Sequence, residues 1–125
     1  MPKKEGLLPA PIKVLAEQIY LYQKGVRPLV LFTCNRRYLS YAERLLGHHG
    51  ISYIVKPIGK GIRLNLFFGK AECLQAIRIL VKNPITALSP EEDFILGALL
   101  GYDLSVQCER YCHRKTLTAL SQKTA

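Results

Sequence analysis

No hydrophobic stretch in this chain approaches the ~18 residues that a membrane-crossing helix requires, because Arg, Lys, Gly or Asn interrupts each one within a few positions. A membrane span is therefore not expected. The N-terminal segment Met1 to Gly6 is basic, but only Leu7, Leu8 and a proline pair follow, too little for the apolar centre of a secretory signal. Internal repeats and low-complexity tracts are missing. Acids are scarce as well, with 9 Asp and Glu against 18 Lys and Arg, giving a net charge of +9. These absences point to a soluble, cytoplasmic protein. Its 125 residues, 49% of them hydrophobic, suffice for one core without disulfides or a structural metal. The four cysteines (Cys34, Cys73, Cys108 and Cys112) are accordingly expected as reduced thiols.

The charge is unevenly spread. Residues 1–88 hold 14 Lys and Arg against 4 acids, and residues 89–125 hold 4 against 5. A positive field confined to the first two-thirds attracts acidic partners: an acidic protein, nucleic acid or a phosphorylated ligand. A solvated surface that only aids solubility is the plainer alternative.

Signatures of catalysis are thin. Gly59-Lys60-Gly61 with Arg63 lacks the spacing and the Lys-Ser/Thr ending of a phosphate-binding P-loop, and reads better as a basic hairpin turn. Thr33-Cys34-Asn35-Arg36-Arg37 falls where a strand hands over to a helix, so free N–H groups and two guanidiniums would suit an anion. A helix start there would also lower the thiol pKa of Cys34. A tyrosine-phosphatase loop is excluded, because it needs arginine where Ser40 stands. Cys108 and Cys112 are four apart on a helix and share a face. With His113 they form a weak metal alternative, short of the four ligands of a structural zinc site. His48 and His49 suit a helix C-terminus, and Glu91, Glu92 and Asp93 a helix N-terminus, so capping explains both groups more simply than catalysis. No cofactor site is expected.

Periodicity predicts helices over 12–23, 36–49, 70–82, from Ser89 to Gly101, and over 104–120, with strands over 28–34, 51–56 and 63–68. The helix after Ser89 is the most strongly specified: Ser89, Pro90 and Glu92 make a capping box with proline at the first helical position. The helical connection makes the first two strands parallel and the short turn makes the third antiparallel to the second. The expectation is an α/β sandwich: a three-stranded mixed sheet with about five helices packed on it. A single domain spans 12–120, flanked by a mobile tail over 1–11 and a short tail over 121–125.

Three segments carry a family resemblance: Tyr20 to Arg27 running into Leu29 to Thr33; Asn65-Leu66-Phe67-Phe68-Gly69; and Glu91 to Gly97 with Leu100-Gly101-Tyr102-Asp103 and Gln107-Cys108-Glu109-Arg110-Tyr111. Over residues 18–114 the chain resembles a small bacterial family classed as a domain of unknown function. The resemblance implies three strands, five helices, a homodimer and no established activity. It also implies a setting beside flavodoxins, which are acidic. The sequence departs from that family where histidines would stand, near Glu17-Gln18 and at Phe32, so no ligand role of those histidines carries over.

The combined expectation is a non-enzymatic homodimer that docks an acidic protein, with a flavodoxin as the candidate, through Arg27, Arg36, Arg37, Lys60 and Arg63. The alternatives are RNA or DNA on the same face, with Tyr38, Tyr53 and Phe68 interleaved for base stacking, or a phosphorylated ligand. Phe94, Leu99 and Tyr102 are the candidate self-association residues, and the Gly97–Gly101 spacing would let another helix approach closely.

Overall fold

A computed structural model describes the backbone over residues 8–124 and the side chains through Ser121. The part of the expected mobile tail up to Leu7 lies outside the described residues, as does Ala125. The chain divides into two compact units, one ending at Leu74 and the other starting at Gln75. Among the described residues, no helix is long and apolar enough to cross a membrane.

The first unit begins with α1 (Ala10–Gln23), two residues earlier than periodicity suggests. Pro9 and Pro11 open it, where absent N–H groups cost no helical hydrogen bond. Its buried stripe is Ile12, Leu15 and Ile19; Val14, expected on that stripe, is exposed. Gly25, at φ 81°, turns the chain out of the helix, and its N–H donates to the Tyr22 carbonyl. Strand β1 (Leu29–Asn35) follows, then a 3-10 turn (Arg36–Tyr38), α2 (Leu39–His48), β2 (Ser52–Ile58) and β3 (Arg63–Gly69).

The fold is α/β, as expected, but the strand order differs. The sheet runs β1-β3-β2, with β3 antiparallel to both neighbours. It is therefore an antiparallel sheet and not a mixed one. β1 and β2 do point the same way, but they do not pair. The reason lies in the residues: β3 is buried from Leu64 through Gly69 and suits the centre, whereas β2 carries Lys56 and Pro57. A proline has no N–H for a second ladder and belongs on an edge.

Val30, Phe32, Cys34, Leu66 and Phe68 share one sheet face. The α1 stripe, Ala42 and Leu46 of α2, and Ile51 close over it. Phe68 is fully buried and meets Tyr22 edge-on at 6.0 Å between ring centroids. Burying such a ring stabilises the fold by about 1.5–3 kcal/mol. Gly69, at φ 152°, ends β3 where any Cβ would run into the Pro28 backbone carbonyl.

Helix α3 (Ala71–Leu80) starts in the first unit and continues into the second. The second unit goes on with a 3-10 turn (Ile85–Ala87), α4 (Pro90–Leu99) and α5 (Leu104–Thr124), which continues past the expected stop at Leu120. The capping box forms as expected: the Glu92 N–H donates to Ser89 Oγ at 3.1 Å, and the Ser89 N–H to Glu92 Oε1 at 2.9 Å. Glu92 does more than cap. Its Oε2 also accepts from the N–H groups of Lys82, at 2.6 Å, and Asn83, at 2.9 Å, so one carboxylate fastens the loop after α3 to the start of α4. The two flanking acids stand in the first turn of α4, as expected, and also reach α5. Glu91 pairs with Lys115 at 2.9 Å and Asp93 with Arg110 at 2.7 Å, tying α4 to α5. Asp103 Oδ1 accepts from the Ser105 N–H and caps α5.

Candidate functional site

The β1–β3 register sets Asn35 opposite Arg63, and the β2–β3 register sets Ile58 opposite the same arginine. The end of β1, the 3-10 turn after it and the β2–β3 turn therefore meet at one end of the sheet. Arg36 fastens them together. Its backbone N–H donates to the Ile62 carbonyl at 2.8 Å, and its Nε to the Gly61 carbonyl at 2.6 Å. Gly61, at φ 92°, makes this possible: a Cβ there would meet the guanidinium at 3.0 Å. The Asn35 side chain accepts from the Arg37 N–H at 3.0 Å and caps the 3-10 turn. The Arg37 guanidinium stands 5.0 Å from the centroid of the Tyr38 ring.

Arg36, Arg37, Lys60 and Arg63 are all exposed around this end, and none of them takes part in the ion pairs found among the described residues. Ile62 lies between them, 68% exposed. Arg27 is not part of this group. It precedes β1 at the opposite end of the sheet, where Leu29 pairs with Gly69. Seven strand residues separate the ends by roughly 20 Å. There it borders a recess of about 520 Å³ with Tyr22, Pro28 and Lys70.

Two chemical expectations are corrected. The Cys34 thiol is buried on the core face of β1, and burial pushes its pKa up, although Arg63 pulls the other way. It is a packed thiol, not an activated one, because the side chain points into the core and not toward the helix start. The base-stacking row also fails. Phe68 is fully buried, and Tyr53 is half-buried with its hydroxyl donating to Glu43 at 2.9 Å, so only Tyr38 of the three stands beside the cations.

The remaining candidates lie in the second unit. Cys108 and Cys112 are exposed and border a groove of about 340 Å³ with Phe94, Ile95 and Tyr111, a groove that His113 does not line. Among the described residues, no group of three His, Cys, Asp or Glu side chains gathers to hold a metal. Phe94 packs on Tyr111 at 5.6 Å between ring centroids, Leu99 is half-buried and Tyr102 is exposed. The close approach at Gly97 occurs within this unit, since any Cβ there would strike the Gln107 side chain of α5. Gly97 therefore makes room for α5 and needs no second molecule to explain it.

Sequence reasoning missed Ile62 and the Arg36–Gly61 bond. The glycine spacing and the exposed isoleucine of the turn were visible, but only the β1–β3 pairing brings them beside the arginines.

The fold and this surface define a small α/β protein with a cationic sheet end. The chain belongs to the family described as protein of unknown function (DUF2023), whose pattern it matches over residues 13–114. No curated protein matches it.

Proposed function

We propose that this protein is a non-enzymatic docking module that binds an acidic protein through Arg36, Arg37, Lys60 and Arg63, with Ile62 at the centre of the contact. The observation that carries this reading is the convergence of four exposed cations from two separate segments, held by the bonds from Arg36 to Gly61 and Ile62. Such a field steers an acidic partner and sets its orientation, while the aliphatic centre supplies contact that resists salt. Burial of Phe68 and the tether on Tyr53 favour a protein over RNA or DNA, because a stacking platform needs exposed rings.

Self-association as a homodimer belongs to the same proposal. Its support is the run of exposed apolar side chains at the α4–α5 turn: Tyr102, Leu104 and Val106. Four free cysteines accord with a cytoplasmic setting.

The test uses the full chain with an acidic flavodoxin and, separately, a single-stranded RNA oligonucleotide. Flavodoxin binding that Arg37→Glu with Lys60→Glu abolishes, and that Arg27→Glu leaves intact, is the expected result. RNA binding that falls steeply with salt, with no response to flavodoxin, moves the reading to nucleic acid. Loss of binding in Arg27→Glu equal to that in the double variant overturns the single-ended surface. Sedimentation of Val106→Asp against the unaltered chain tests the dimer.

A further inference from the structure

A second feature of the first unit shares no residue with the cationic sheet end. A groove of about 640 Å³ runs between α1 and α2, within the range of about 300–1,000 Å³ typical of small-molecule sites. Leu8, Ile12 and Ala16 form one wall, and Tyr41, Arg44 and His48 stand on the other. The α1 wall is wholly apolar. Both charged or titratable members come from α2, four residues apart and so on one side of that helix. No described acidic residue lines the groove.

The groove has a direction. Gln23, the last residue of α1, places its Nε2 3.1 Å from His49 Nδ1, just past the end of α2. The two helices therefore run the same way. Leu8 and Ile12 lie toward one end of the groove, and His48 toward the other. The His49 ring packs edge-on against His48, with centroids 5.3 Å apart, and gives it a fixed neighbour. Tyr41 and Leu8 are 42% and 39% exposed, so the apolar floor is open to an incoming molecule.

An apolar trough with the Arg44 guanidinium on its α2 wall, His48 toward one end and no acid among its described walls is complementary to a molecule with an apolar tail and a single anionic head. From Tyr41 to His48 the α2 wall rises about 10 Å. A zigzag chain with C–C bonds of about 1.5 Å advances about 1.25 Å per carbon, so this length spans about eight carbons. We propose that this groove binds a free medium-chain fatty acid, with Arg44 and His48 holding the carboxylate and Leu8, Ile12, Ala16 and Tyr41 covering the tail. Arg44 supplies two or more N–H donors in a planar fork that matches a carboxylate. His48 donates one more hydrogen bond at the mouth.

Calorimetric titration of the full chain with decanoate, and in parallel with 1-decanol, tests this. Saturable decanoate binding below about 1 mM, with decanol at least about tenfold weaker, is the expected result. Arg44→Glu weakens decanoate by more than about tenfold, since it sets a like charge at the head site. Ala16→Trp fills the trough and removes binding, and because Ala16 is exposed the substitution leaves the core untouched. In nuclear magnetic resonance spectra, decanoate shifts the signals of Tyr41 and His48. Equal affinity for decanoate and decanol, unchanged binding in a folded Ala16→Trp, shifts confined to other parts of the chain, or no saturation by about 1 mM would each overturn the assignment.

Discussion

The two units use charge in opposite ways. Through residue 74 the chain carries 12 Lys and Arg against 4 acids, and beyond it 6 against 5. Three ion pairs, Arg110 and Arg114 with Asp93 and Lys115 with Glu91, join α4 to α5. The first unit is held by an apolar core between two helices and a sheet, and Arg36, Arg37, Lys60 and Arg63 stay exposed outside it. The second unit has a short α4 and a long α5 with several exposed apolar side chains, and its polar groups bind one another. Charge in the second unit is matched between two helices, whereas Arg37, Lys60 and Arg63 in the first unit are outside those ion pairs.

That contrast is breakable. The largest effect belongs to the core: Phe68→Ala lowers stability by about 3–5 kcal/mol, through lost transfer energy and the cavity left behind. Denaturant unfolding measures it, and the loss is the same at low and high salt. A salt-sensitive loss would mean that charge also holds the first unit.

Next comes Glu92. Hydrogen bonds from the Asn83 side chain, the Ser89 backbone and the Asn83 and Lys82 backbones hold its carboxyl at about 2, below its ordinary 4.5. A depressed carboxyl pKa contributes stability that is present in full above 4.5 and is lost as pH falls toward 2. The Lys82 and Asn83 amides therefore lose protection from hydrogen exchange over that interval. Glu92→Ala removes the protection at neutral pH. Protection that is flat from pH 5 to about 2 would show that the clasp contributes nothing.

Smaller effects follow on the surface. Arg110→Ala breaks the contact with Asp93 and lowers stability by at most about 1 kcal/mol, because the arginine is 58% exposed and salt screens the pair. Smallest of all for folding is the Arg37→Glu, Lys60→Glu double variant, within about 0.5 kcal/mol of the parent chain. The same variant is the one expected to remove docking. Large loss of stability there would mean that these cations support the fold after all.

Local structure was legible from residues and pairing was not. The start of α4 followed from Ser89, Pro90 and Glu92, since a capping box is a contact between near neighbours. A continuous apolar run, a β-branched and aromatic bias and the bounding turns marked the three strands, but such a pattern does not say which strand lies beside which. Pro57 held the clue, because a residue without an N–H points to the sheet edge. The missed strand order then misplaced the site. Arg36, Arg37, Lys60 and Arg63 come together only because β3 pairs with β1, and Arg27, near them in sequence, is a full strand length away. The α1–α2 groove was hidden for the same reason: Ala16 and Arg44 come to line one groove only when two helices lie side by side.

Pro57 has one more effect, on crowding. An outer strand invites chains from neighbouring molecules to extend the sheet, the first step toward fibrous deposits. β2 carries a pyrrolidine ring at Pro57 and a lysine, Lys56, beside it, both residues that blunt an edge strand. This flank of the sheet is thus a poor template for a further strand.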